Sequence, residues 1–283
     1  MQSTARRFYY AVFQGRDLDS GANVGVWTIQ PQTYKLPFSN TCKIPPSMLY
    51  YLYQTIGTTT MKVNEMLVKN NVDAQNQTRE KFKLVESENP NAKRILFIGN
   101  SITLHERKPE IGWNNNWGMA ASAEDKDYAH IVLTGLKKRH GDISYAIVNV
   151  SEWERNYWDE SVLQKFKDAQ DFHADAVVIR FGENVYREKL DEYPFIDHLR
   201  TFIRYISPCA EKIVVTTCFW EFELVDKALK TIAEENGYDF VELTDLGYQK
   251  ENMAIGLFEH LGVASHPGDL GMQRIAERIL EKL

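Results

Sequence analysis

From residue 92 onward the chain alternates short runs of apolar residues with amphipathic stretches, and few folds tolerate that rhythm. The runs lie at 94–100 (RILFIGN), 144–150 (SYAIVNV), 175–182 (DAVVIRFG), 212–220 (KIVVTTCFW) and 239–245 (DFVELTD). Near-continuous Val, Ile and Phe over so few residues suits strands covered on both faces, as in a parallel sheet. Between the runs lie helical patterns at 128–140, 158–172, 195–206 and 224–236. A last helix is expected from Asp269, with Met272, Ile275, Ala276, Ile279 and Leu280 on one face. Strands alternating with helices of these lengths predict a three-layer α/β/α sandwich with right-handed crossovers. At 283 residues and 43% hydrophobic content, the chain can bury such a core.

Residues 1–90 follow a different rule and are read as an N-terminal accessory region, β-containing, ahead of a domain over 91–283. Aromatic-rich pieces at 8–13 and 24–29 look like strands, with Gly-Arg-Asp and Pro-Gln-Thr turns nearby. The segment 61–70 suits a short helix, 79–86 an edge strand, and 88–93 a linker. A packed extension, a small accessory domain and a sugar-binding module all remain open for this region.

Charge and cysteine content narrow the functions. A net charge of -6 offers no basic face for tracking phosphates, so nucleic acid is not an expected partner. No stretch approaches the roughly 20 apolar residues that span a bilayer, and no apolar run of signal-peptide length follows Arg6 and Arg7; a membrane partner is not expected, and the cytoplasm is the expected location. Cys42, Cys209 and Cys218 show no metal-like or paired spacing, which fits a reducing compartment. The aromatic-rich N-terminal segment offers an interface for a homo-oligomer.

In an open parallel sheet the reactive residues gather at the carboxyl ends of the strands. The first strand ends in Gly99-Asn100-Ser101, which puts a serine on a strand-to-helix turn. The third ends in Gly182-Glu183-Asn184, where a carboxamide can donate to a developing negative charge or cap the turn. Ser265-His266-Pro267 precedes the last helix and can return a histidine to the sheet edge as a general base.

Taken together, a serine after the first strand, Gly-x-Asn after the third and His-Pro before the last helix resemble the SGNH/GDSL hydrolase family over about 94–283. The resemblance implies a flavodoxin-like sheet of five parallel strands, ordered 2-1-3-4-5, with the ends of strands one, two and three side by side. It implies Ser101 as nucleophile and His266 as base. The oxyanion hole is then formed by the Ser101 amide, the Asn184 side chain and Ser151, which stands where the family has a glycine.

Two further departures mark this chain. The first block reads Gly-Asn-Ser where the family has Gly-Asp-Ser, and Val263 occupies the position of the aspartate three residues before the histidine. Asp269 reads as the cap of the final helix. Glu259, the more distant Glu154, or a backbone carbonyl then orients His266.

The substrate is expected to be polyhydroxylated. Trp113 and Trp117 flank Asn114, Asn115 and Asn116 after the nucleophile, Trp153 and Glu154 follow the second strand, and Trp220 ends the fourth. Aromatic faces beside neutral hydrogen-bonding groups suit sugar rings. The expected reaction is hydrolysis of a short, acetyl-type ester on a carbohydrate, a small molecule or an oligosaccharide. Lipid- or thioester-directed hydrolysis is the alternative, as is a non-catalytic carbohydrate-binding relative that has lost the acid. No metal or organic cofactor is called for. His105, His130, His140 and His173 form no ligand-like cluster in the sequence and are read as surface residues.

Overall fold

The computed structural model describes residues 7–14, 26–33 and 81–283. The first two segments are strands β1 (Arg7–Gln14) and β2 (Val26–Thr33), paired antiparallel from Arg7 opposite Thr33 to Gln14 opposite Val26. These match the aromatic-rich runs expected to be extended, but Pro31, Gln32 and Thr33, expected as a turn, continue β2 opposite Tyr9, Phe8 and Arg7. The helix expected at 61–70 and Cys42 lie outside the described residues.

From residue 81 onward, the chain builds one sheet covered on both faces. Its elements, in order, are β3 (Phe82–Val85), β4 (Lys93–Gly99), α1 (Tyr128–His140), β5 (Ile143–Asn149), α2 (Ser151–Arg155), α3 (Lys167–Asp171), β6 (Ala176–Arg180), α4 (Phe195–Ile206), β7 (Lys212–Thr216), α5 (Glu223–Asn236), β8 (Asp239–Val241), α6 (Thr244–Gly247), α7 (Leu261–Ala264) and α8 (Asp269–Leu280). The strand order is β3-β5-β4-β6-β7-β8, parallel throughout except for β3, which runs antiparallel to β5. The five alternating runs therefore take the expected order, with the first between the second and third. The sheet has six strands rather than five, because Phe82–Val85 adds to the open edge of β5. That edge strand carries Lys83 and leaves Leu84 and Val85 exposed, the mark of a short, half-covered margin.

Side chains on successive strand residues point to opposite faces, and the two cores divide accordingly. Leu96 and Ile98 of β4 pack with Phe202 of α4 and Leu229 of α5. Ile95 and Phe97 pack on the other face with Val132 of α1 and Ile275 of α8. The amphipathic helices α1 and α4 fall where their periodicity placed them, over Tyr128–His140 and Phe195–Ile206. Helix α1 starts on Asp127, whose carboxylate accepts the His130 amide. The expected helix over 158–172 is instead a 3-10 turn, Glu160–Phe166, leading into α3.

Trp153 belongs to this core and not to a substrate surface. It is fully buried in α2, stacked on Phe202 with ring centroids 4.0 Å apart and planes at 15°. Phe181 and Phe195 close around it edge-on or tilted. A short helix after β5 must bury one side against α4, and the indole is the group that fills the gap. Among the described residues, no helix is long and apolar enough to cross a membrane. Trp153→Ala is expected to lower the unfolding free energy by about 3–5 kcal/mol, read as a shift of the urea midpoint at unchanged slope.

Candidate active site

The turn after β4 depends on a residue without a side chain. A Cβ on Gly99 would lie 1.8 Å from Thr103 Oγ1 and 2.7 Å from the Arg180 carbonyl oxygen. With glycine there, the chain reverses at once: the Asn100 carbonyl accepts the amides of Thr103 and Leu104 at 2.9 and 3.0 Å. Ser101 sits at the top of this turn, half-buried, and its carbonyl accepts the Met119 amide at 2.8 Å. Its Oγ lies 2.8 Å from Nε2 of His266.

His266 is brought there by a second tight arrangement. Met253 and Pro267 form an antiparallel bridge, the His266 carbonyl accepts the Ala254 amide at 2.9 Å, and the Gly268 amide donates to Asn252. The imidazole is 3% exposed, and its Nδ1 donates to the Gly262 carbonyl at 2.6 Å. That carbonyl is available because the neighbouring carbonyls of His260, Leu261 and Val263 take the amides of Ala264, Ser265 and His266. A carbonyl only accepts, so Nδ1 carries the proton in the neutral ring and Nε2 presents its lone pair to Ser101. Burial above all pushes the His266 pKa down, to about 3; the positive charges of His105, Arg180 and His260 act in the same direction, against the Gly262 hydrogen bond.

The partner of His266 Nδ1 is not a carboxylate. Val263 is buried at the position of the missing aspartate, Glu259 is exposed, and the group bonded to Nδ1 is the Gly262 carbonyl. Asp269 is the first residue of α8 rather than its cap, and accepts from the amide and hydroxyl of Ser122 and from Lys126. It fastens the loop after the nucleophile to the final helix. Ser101 and His266 thus form a hydrogen-bonded pair backed by a backbone carbonyl.

Beside this pair lies a buried polar network. Glu154 is 0% exposed and accepts four N–H groups: the Gly182 amide at 2.7 Å, the Asn184 amide at 3.2 Å, Asn184 Nδ2 at 2.7 Å and Asn100 Nδ2 at 3.2 Å. Burial, followed by the charge of Glu183, raises its pKa, while the N–H donors pull the other way. Asn184 Oδ1 accepts from Arg155 Nη2 at 2.7 Å. Gly182, at φ 137°, has no room for a Cβ, which would lie 2.5 Å from Cys218 Sγ. Arg180, buried at the end of β6, donates to Asn100 Oδ1 at 2.8 Å and to Glu183, whose carboxylate also takes the Phe219 amide. The Ser151 amide donates to Asn149 Oδ1 at 2.9 Å and is thus already used within its own turn.

The aromatic residues divide into two groups. Trp113 is fully buried, donates to the His105 carbonyl at 3.2 Å, and meets Trp117 edge-on and Phe258 at a tilt. With Met119, Ala120, Ala254 and Val263 it forms a small core joining the loop after Ser101 to the loop before His266. Trp113, like Trp153 and Glu154, is therefore internal rather than substrate-facing. Trp117 is half-buried and donates to the Ala121 carbonyl. Trp220 is half-buried and stands edge-on to His266 at 5.4 Å and 85°. His105 and His130 are half-buried rather than on the surface, His105 bonded to the Glu106 carbonyl and His130 to Asp127. Among the described residues, no group of three or more His, Cys, Asp or Glu is gathered to hold a metal ion.

Ser101 and His266, paired in the sequence reading, do meet, and the group behind His266 is the backbone carbonyl offered there as one alternative; Arg180 and the identity of Gly262 were not foreseen. Arg180 carried a signal, being a charge at the end of the apolar run 176–180. Gly262 carried none, because its contribution is a carbonyl.

No family model matches the chain, and no curated protein matches it. Among solved structures, the chain is similar to a two-domain esterase active on acetylated mannans, at 20% identity and a TM-score of 0.45, over 68% of this chain and 49% of that one. It is also similar to a protein assigned to the lipolytic G-D-S-L family from Desulfitobacterium hafniense DCB-2, at 13% identity and a TM-score of 0.41, over 68% of this chain and 99% of that one. The match to the two-domain esterase thus spans about half of that protein's length.

An imidazole held neutral by burial makes stability depend on pH. The unfolded chain binds a proton at His266 near pH 6.5 and the folded chain only near 3, so stability falls as the pH drops from 6.5 towards 3 and is unaffected by this group above 6.5. An NMR titration of the ring is expected to show the neutral imidazole, protonated on Nδ1, persisting below pH 5. A midpoint near 6.5 in the folded protein would contradict the buried setting.

Proposed function

We propose that this chain is a serine esterase with Ser101 as nucleophile and His266 as general base. One observation carries the reading: the 2.8 Å contact between Ser101 Oγ and the unprotonated Nε2 of an imidazole fixed from behind by a backbone carbonyl. A hydroxyl so placed loses its proton to nitrogen as it attacks. Histidine needs an orienting group for this, and a carbonyl supplies orientation without the added charge of a carboxylate.

The reaction follows acyl-transfer chemistry. Ser101 Oγ forms a bond to the ester carbonyl carbon as its proton passes to His266 Nε2. The negative charge on the carbonyl oxygen is met by the Ser101 amide and by the Asn184 carboxamide. The tetrahedral intermediate collapses, the C–O bond to the alcohol breaks, and the alcohol leaves with the proton from His266. Water, deprotonated by the same nitrogen, then attacks the acyl-serine and releases the carboxylic acid.

A short acyl group on a carbohydrate is the substrate this reading favours. Trp220 beside the base and Trp117 beside Asn115 and Asn116 offer half-open aromatic surface with uncharged hydrogen-bonding groups. A second reading, hydrolysis of longer acyl chains, is favoured by the exposed side chains of Ile255, Leu257 and Leu261 on the segment that leads to His266, of which Leu257 is 75% exposed.

Assays with p-nitrophenyl acetate and the octanoate ester separate these readings. Ser101→Ala and His266→Ala are each expected to lower kcat/KM by about 10³-fold or more, whereas Glu259→Gln stays within about twofold, as expected of an exposed surface change. Unchanged hydrolysis in Ser101→Ala would remove the nucleophile assignment. Preference for octanoate selects the longer-chain reading, and absence of any hydrolysis selects a binding protein on the same fold. Acetate release from an acetylated oligosaccharide, followed by NMR, tests the carbohydrate assignment directly.

A further inference from the structure

We propose that Glu154 and Arg155, consecutive residues of α2, are positioning residues that hold the Asn184 carboxamide from both sides and thereby aim its one remaining N–H at the oxyanion. This deepens the esterase reading and rests on it. The carboxamide is planar, with one acceptor and two donor hydrogens. Glu154 Oε2 takes one Nδ2 hydrogen at 2.7 Å, and Arg155 Nη2 donates to Oδ1 at 2.7 Å. With those two groups engaged, the plane cannot rotate and the direction of the second Nδ2 hydrogen is set. Glu154 also fixes the backbone beneath, since its Oε1 accepts the Gly182 and Asn184 amides.

The arrangement requires a carboxylate at 154 and not merely a polar group of that size. All four partners of Glu154 are donors, which matches an acceptor-only carboxylate. A glutamine turned to keep Oε1 in place would set its own NH2 against Asn184 Nδ2. Turning Asn184 over to relieve that clash would set Nδ2 against Arg155. Either orientation leaves two donors opposed. The nearby charges also balance: Glu154 and Glu183 stand with Arg155 and Arg180, so holding Asn184 with a carboxylate adds no net negative charge beside the oxyanion.

A double-mutant cycle on p-nitrophenyl acetate hydrolysis tests this. Asn184→Ala is expected to lower kcat by about 10²–10³-fold with KM little changed, as for loss of one oxyanion donor. Glu154→Gln is expected to lower kcat by about 10–100-fold through misalignment, and to cost nothing further in the Asn184→Ala background. Arg155→Met, a change at a half-exposed side chain, should show the same pattern with a smaller loss and decides the matter if Glu154→Gln does not fold. A purely structural role predicts losses that add to that of Asn184→Ala, and such additivity overturns the proposal, as does full kcat in both variants. If Asn184→Ala retains full kcat while Ser101→Ala is inactive, the Asn184 assignment and this proposal fail together and the esterase reading stands. Activity in Ser101→Ala fails that reading itself.

Discussion

Three strands of the sheet end around one carboxylate that has no access to water. Removing a charge from solvent costs several kcal/mol even after relaxation, and Glu154 offsets this with four N–H groups drawn from the exits of β4 and β6. Those exits carry Asn100, next to Ser101, and Asn184. The geometry of the turn after β4 is thus tied to a buried charge whose Oε1 is shared by three donors and whose Oε2 loses its one partner if the Asn184 carboxamide moves away. Arg180 and Glu183 extend the same network to the exit of β7 through the Phe219 amide.

The scaffold was readable because its signals are periodic. Five apolar runs announced a parallel sheet, and the residues of α1 and α4 fell at the boundaries their spacing implied. The edge strand β3 was visible as an alternating segment, but membership of the main sheet was not, since pairing with β5 is a long-range contact. That Ser101 and His266 would meet was readable through position relative to strand ends. Inference from residue type to exposure held for His140 and His173 but failed for Trp113, Trp153 and Glu154. Tryptophan serves equally as a sugar platform and as core filling, and only the packing around Trp113 and Trp153 distinguishes the two. Glu154, which suggested a solvent-facing role, is fully enclosed, because the short helix α2 turns it towards the strand ends.

The orienting group behind His266 shows the same limit from another side. Searching for an acid three residues upstream finds Val263, and the nearest alternative by sequence is Glu259. The actual partner is the oxygen of Gly262, an atom that every residue possesses. Its availability comes from the local winding at Leu261–Ala264, where adjacent carbonyls are used and this one is left. An imidazole backed by a carbonyl lacks the electrostatic support a carboxylate would give its protonated form, and burial, the chief cause, pushes the His266 pKa down unopposed by such a charge.

The small core of Trp113, Met119, Ala120, Ala254 and Val263 joins the two loops that carry Ser101 and His266, and Asp269 adds a second tie through Ser122 and Lys126. Neither tie runs through the sheet. The contact between Ser101 and His266 therefore rests on a satellite cluster outside the sheet, and an opening confined to that cluster would part the two side chains on heating while the strands stay paired.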